Sequence, residues 1–188
     1  MILTLDNEYS VVFDACVLVP MPLCDTLLRC AEEPALFRLA WSNQTLEEVE
    51  RTLTAKLGYS ESQASRRVRA MREAFPEAAV NFPATLITAC EGIPDPDDRH
   101  VVAAAIHCRS HAIITANLKH FPKECLAAHD ILVQSPDEFL KHQFHLNGDR
   151  MLEVLDIQAS AIGKERGEIL QLLEIDAPGF VELIRRKF

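Results

Sequence analysis

The chain lacks several features that would assign it quickly. No apolar run approaches the roughly 18 residues needed to cross a bilayer, so a membrane-spanning helix is excluded. Met1 to Asp6 carries neither a basic region nor a long apolar core, so no secretory signal is expected and the cytoplasm is the expected compartment. Basic residues are outnumbered, 19 Lys and Arg against 28 Asp and Glu. The resulting net charge of −9 excludes nucleic-acid binding by bulk electrostatics, while leaving room for a local basic surface. The six cysteines form no C-x-x-C pair. His107, Cys108 and His111 lie close on one predicted helix, but no second ligand pair answers them at zinc spacing. Reduced thiols in a cytoplasmic protein are the simpler reading. Repeats and low-complexity segments are absent as well.

What is present is an ordinary globular composition, 48% apolar and 25% charged, which argues against disorder. At 188 residues the chain can build one sizeable domain with an appendage. Its densest polar feature is Ile93-Pro94-Asp95-Pro96-Asp97-Asp98-Arg99-His100, followed by an alanine-rich run to His107. Three acids in four positions exceed what a helix start requires. Asp95 reads as the N-cap, Pro96 as the first helical residue, and Asp97 and Asp98 as the next two, with the helix running to about Ser110.

Elsewhere, Val11-Val12-Phe13 is a short β-favouring run ending on Asp14, which is followed by further apolar residues rather than by a polar turn. Pro20 and Pro22 open a helix with Leu23, Leu27 and Leu28 on its apolar face. Ala35 to Ala40 form a short segment ending at Trp41. A strong helix starts near Ser42, with Leu46, Val49 and Leu53 facing inward; Thr45 and Glu48 fit a capping box, and Ser42 or Asn43 could cap instead. Ser60 caps a helix from Glu61 to about Ala74 that carries Arg66, Arg67, Arg69 and Arg72. This is the clearest basic surface of the chain, either a solvated face or a face that pairs with phosphate. Residues 77–94 read as irregular. Ala112 to Thr115 and Ile131 to Val133 read as further strands, and Ser135 caps a helix to about Gln143. Strands alternating with helices predict a three-layer α/β domain around a parallel central sheet. From residue 145 only helical spacing remains, so the expected organisation is 1–144 as the α/β domain and 145–188 as a helical extension.

Asp14, Glu48 and Asp98 are then three separated carboxylates at element ends, where ligand sites of open α/β sheets lie. If they converge, their mutual repulsion suits Mg²⁺ or Mn²⁺, which prefers oxygen ligands and can orient a water for attack on a phosphodiester.

These motifs, in this order, resemble the PIN-domain ribonucleases, and more closely the toxins of VapC-type toxin–antitoxin pairs. The matching stretches are Val12 to Leu18, Trp41-Ser42 with Leu46 to Val49, Asp95 to Val101, and Ile114 to Pro122. The resemblance covers roughly residues 9 to 140. It implies a bacterial, Mg²⁺- or Mn²⁺-dependent endoribonuclease that inhibits translation or growth. Asp14, Glu48 and Asp98 would be its acidic metal site, with Asn117 where many relatives carry a fourth acid. It implies Thr115 as a polar helper, with Ser42 and Asp97 as further supporting residues, and a cognate antitoxin and an RNA substrate as partners. The missing fourth charge favours one tightly held ion over two. The tail, ending in Phe180 to Phe188, resembles the helical extension of one branch of these toxins, and its apolar residues would suit a homodimer. Two other readings compete. One is a catalytically degenerate PIN-fold binding module, for which Asn117 is the support. The other is a haloacid-dehalogenase-type phosphatase, which needs a second Asp where this chain has Cys16.

Overall fold

The computed structural model describes residues 9–187, so Met1 to Asp6 and the terminal Phe188 lie outside the described residues. Among those residues the strands are β1 (Ser10–Phe13), β2 (Arg38–Ser42), β3 (Ala79–Val80), β4 (Ala112–Ile114) and β5 (Leu132–Gln134). The helices are α1 (Ala15–Leu18), α2 (Leu23–Ala31), α3 (Asn43–Leu57), α4 (Glu61–Ala74), α5 (Thr85–Ala89), α6 (Arg99–His107), α7 (Lys123–Leu126), α8 (Pro136–Leu146), α9 (Gly148–Ala161), α10 (Arg166–Leu173) and α11 (Pro178–Lys187).

The sheet is parallel throughout, in the order β3-β2-β1-β4-β5. The chain starts in the centre, winds outward to one edge and returns to build the other. The switch of direction lies at β1, and in open α/β sheets the carboxyl ends of the strands at such a point form a crevice. Helices cover both faces, which makes the predicted three-layer α/β/α architecture. Two buried clusters divide the layers: Val12, Ile113 and the α6 alanines on one face, and Val11, Phe13 and Ile114 with α2, α3, α8 and the C-terminal helices on the other.

β2 was not expected as a strand. Arg38-Leu39-Ala40-Trp41-Ser42 contains no β-branched residue, and its extended state comes from pairing with β1, Ser10 opposite Arg38 through Val12 opposite Ala40. β3 pairs with β2 for two residues inside the segment expected to be irregular.

The structure selects one of the alternatives at the α3 start and revises the expected α6 start. Ser42, rather than a Thr45–Glu48 box, caps α3 by accepting from the Thr45 amide at 3.0 Å. Residues 96–98 form a separate 3₁₀ turn in which Asp95 accepts from the Asp97 amide. Asp98 therefore stands at the N-cap position of α6 instead of inside the helix, and its carboxylate makes no capping bond. α6 itself stops at His107, short of Ser110, because Arg109 adopts φ 52° and turns the chain into β4.

The helices of residues 145–188 pack on the same core as the sheet. Phe144, Met151, Leu155, Ile169 and Phe180 join Phe13 and Phe37 in one cluster, and Gln158 bonds Thr26 and the Pro22 carbonyl of the α2 start. We retain 145–188 as a proposed extension, whose first two residues complete α8.

Phe139 of α8 meets Phe13 of β1 and Phe37 edge-on, at ring separations of 6.2 and 4.9 Å. Phe139→Ala should destabilise the protein by about 3–5 kcal/mol in urea unfolding, the range for deleting a buried aromatic ring. A loss under about 1 kcal/mol would mean that this junction carries little of the core.

Candidate active site

Asp14 leaves β1 at the centre of the sheet. Phe13 pairs with Ile114, so the next residues, Asp14 and Thr115, stand side by side on neighbouring strands. The ladder continues one bond further, from the Asp14 amide to the Ile114 carbonyl. Asp14 is 3% exposed and makes no capping bond to α1, which removes the turn-acid explanation for it. Its Oδ2 accepts from the Thr115 hydroxyl at 2.6 Å and from the Cys16 thiol at 2.9 Å. Among the described residues no cation pairs with it. A buried carboxylate held only by neutral donors is an unusual arrangement, since isolated buried charge is strongly disfavoured.

Glu48 sits in the second turn of α3, beyond the reach of any N-terminal cap. Its Oε1 lies 2.8 Å from His100 Nε2, and His100 Nδ1 lies 2.7 Å from the Ser42 hydroxyl. Asp98 Oδ2 lies 2.8 Å from His120 Nδ1. Burial raises the Asp98 carboxyl above its ordinary range, the His120 hydrogen bond partly offsets this, and the charge of Asp14 raises it again.

Asp14, Glu48, Asp97, Asp98 and Asn117 line one cavity of about 550 Å³ at the carboxyl edge of the sheet. The three predicted acids thus share a site, although they do not form the tightest ligand group. Among the described residues, that group is Asp95, Asp98 and His120, whose ligand atoms lie within 4.8 Å of one another. Asn117 is exposed in the cavity wall, and its backbone N–H donates to Thr115 Oγ1 at 2.9 Å.

The donor set fits a hard divalent ion. It consists of carboxylate oxygens, with Asp14 paired to no cation among the described residues, in a cavity wide enough for retained waters. Asp14, Glu48 and Asp98 would hold such an ion. Cys16 is no nucleophile here: burial, together with the neighbouring Asp14 charge, pushes its thiol up to about 12, so it remains a hydrogen-bond donor at neutral pH.

None of the four arginines of α4 lines the cavity. Arg67 donates to the Leu18 and Val19 carbonyls at 2.7 and 3.0 Å, and Arg72 to Asn43 at 2.8 Å. Arg69 lies 3.7 Å from Glu73, and Arg66 is exposed. Two of these four side chains thus hold the fold together. The cations that do line the cavity, Arg51 and Lys56, were missed from the sequence, as were His100 and His120. Arg51 follows Glu48 by one helical turn, a spacing that was available to be read. Neither Arg51 nor Lys56 pairs with a carboxylate among the described residues.

A family model described as "PIN domain" matches residues 10–119, more than half of the chain. The chain belongs to the PIN-domain family. Over 49 residues it is 49% identical to a protein of Mycobacterium tuberculosis (strain ATCC 25618 / H37Rv) named "Putative ribonuclease VapC50". That match covers 26% of this chain and 29% of the relative, less than a third of the relative's length. No solved structure matches the chain.

Thr115 is the residue on which Asp14 most directly depends. Thr115→Val should lower stability by roughly 1–3 kcal/mol, because it removes the shortest donor to a buried carboxylate. An unchanged urea midpoint would show that the hydroxyl is dispensable.

Proposed function

We propose that this PIN-domain protein is a divalent-metal-dependent endoribonuclease acting as the toxin of a toxin–antitoxin pair. The observation that carries the reading is the shared cavity, where Asp14, Glu48 and Asp98 meet two unpaired cations on a fold of the PIN family. Family membership and the partial likeness to a ribonuclease-named relative support it. The same features disfavour a degenerate binding module, since Asp14, Glu48 and Asp98 are all retained in the cavity even though Asn117 brings no fourth charge. A dehalogenase-type phosphatase is set aside with the family assignment.

In this reading Asp14, Glu48 and Asp98 hold Mg²⁺ or Mn²⁺. When bound, the ion supplies charge neutralisation at the scissile phosphate and lowers the pKa of a coordinated water. The protein's own residues do the rest. Thr115 and Cys16 fix one oxygen of Asp14 and leave the other turned to the cavity's needs. Arg51 and Lys56 attract and orient the phosphate, Arg by its fork of donors and Lys as a point charge. Asn117 offers a carbonyl or an amide to a water or to the substrate without adding charge, which favours a single ion. Asp97, on the cavity rim, is a candidate supporting group. A cognate antitoxin that covers this acidic cleft, and a homodimer built on apolar C-terminal helix residues, complete the proposal.

Purified protein should cleave structured RNA with Mg²⁺ or Mn²⁺ and stop with EDTA. Asp14→Asn should reduce cleavage by roughly 10²-fold or more, the scale of losing an electrostatic element of a catalytic site. The same variant should relieve growth arrest when the chain is expressed without its antitoxin. Cleavage that survives Asp14→Asn would remove the assigned site.

A second measurement separates the two sets of cations. Replacing Arg51 and Lys56 with Ala should flatten the log–log salt dependence of RNA binding by about 0.7 for each lost single-strand phosphate contact. Arg66→Ala with Arg69→Ala should change that slope less. The opposite ranking would return RNA contact to the arginine helix.

A further inference from the structure

His100 is the second residue of α6, yet it is only 5% exposed, and both of its ring nitrogens are engaged. Its two partners belong to a different helix. Ser42 is the N-cap of α3, and Glu48 lies further along the same helix. The imidazole therefore bridges the start of α3 to its acidic residue.

Proton bookkeeping orients the bridge. Ser42 Oγ already accepts from the Thr45 amide. Its own hydroxyl proton is free to be donated, and His100 Nδ1 at 2.7 Å is its nearest polar partner, closer than Thr45 Oγ1 at 3.0 Å. An ionised Glu48 carboxylate can only accept, so Nε2 donates to Oε1 at 2.8 Å, and in the neutral ring Nδ1 is left to accept from the Ser42 hydroxyl.

Glu48 needs such a hold. It lines the acidic cavity and also a second cavity of about 470 Å³ that shares Arg51 and Asp97 with the first and that His100 lines as well. A glutamate has three side-chain torsions, and an untethered one where two cavities adjoin can take several orientations. The His100 bond engages Oε1 and leaves Oε2 without a partner among the described residues, free to serve as a ligand atom.

We propose that His100 is the positioning residue for Glu48, relaying the rigid geometry of Ser42 and the α3 start to the carboxylate that binds the metal. The proposal rests on the metal-nuclease reading given above. His100 touches neither substrate nor ion in this role. It acts by limiting the orientations of Glu48, as outer partners of metal ligands do elsewhere.

Replacing the ring with Ala would open a buried cavity and mix folding with binding. The discriminating pair is His100→Gln and His100→Asn. Gln can place an amide donor near the Nε2 position and keep the Glu48 contact. Asn occupies the Nδ1 position, keeps Ser42 and does not reach Glu48. Mn²⁺ is titrated calorimetrically into each full-length variant without RNA, with thermal melting as the folding control.

His100→Asn should weaken Mn²⁺ binding by about 10–100-fold, the usual effect of losing such a partner, while His100→Gln stays within about threefold of the parent. In RNA cleavage at fixed, limiting Mn²⁺, kcat should follow the same order and KM for RNA should stay put. Equal losses in both variants, or retention by Asn with loss by Gln, overturn the proposal. Unchanged affinity in both overturns it too.

Glu48→Gln separates this failure from failure of the underlying reading. If Glu48→Gln leaves Mn²⁺ affinity unchanged, the metal site itself is wrong. If it weakens binding while His100→Asn does not, only the positioning role falls. In the unmodified chain, a nitrogen–proton spectrum should show a slowly exchanging proton on His100 Nε2 whose shift changes in Glu48→Gln. Absence of that proton overturns the proposal whether or not the variants fold.

Discussion

A carboxylate without a counter-charge, held at the end of the central strand, is the constraint on which the rest of this structure depends. Asp14 is buried, and its visible partners are a hydroxyl and a thiol. In an interior of low dielectric such a group is tolerated only where hydrogen bonds or an ion compensate. The parallel pairing of β1 and β4 supplies the first compensation, because it sets Thr115 beside Asp14. The cavity to which Glu48 and Asp98 contribute supplies room for the second. Asp98, pushed up by burial and by the Asp14 charge, records the same excess of negative charge from the other side.

The fold and the site are coupled through strand order. Because β1 is central and both neighbours run parallel to it, three carboxyl-terminal strand ends open on the same edge. β1 delivers Asp14, β2 leads through Ser42 into α3 and Glu48, and β4 delivers Thr115 and Asn117. α6, packed against the sheet, brings His100 to that edge from its first turn, and Asp98 from its N-cap position. None of these residues needs a long loop to reach the site. The acids are mounted on rigid elements, which suits a reaction in which small misplacements are expensive.

The parts of this arrangement that the sequence made readable are those with local signals. Val11-Val12-Phe13 announces a buried strand by its β-branched residues, and Asp14 stands out because apolar residues follow it. The three-layer α/β class follows from alternating elements, and the capped starts of α4 and α8 follow from Ser60 and Ser135. β2 was hidden because Leu39, Ala40 and Trp41 have no strong strand preference; its state is imposed by β1. Asp98 was placed one turn too deep, since a separate 3₁₀ turn after Pro96 cannot be told from a helix start by residue type. Arg67 looked like surface because its charge is visible and its carbonyl partners, 48 and 49 residues away, are not. His100 was invisible as a bridge for the same reason: its partners lie 58 and 52 residues distant.

Ser42 deserves a different description from that of a helix cap. The same oxygen that receives the Thr45 amide also faces the His100 ring. In the proposed reading one atom therefore serves both the helix start and the metal site, and a change there acts on both. A change to threonine keeps a hydroxyl for both tasks, whereas alanine or glycine forfeits both at once. Residues of this kind restrict which neighbouring sequences a family can explore. The route from one functional variant to another must pass through side chains that satisfy a helix and an active site together.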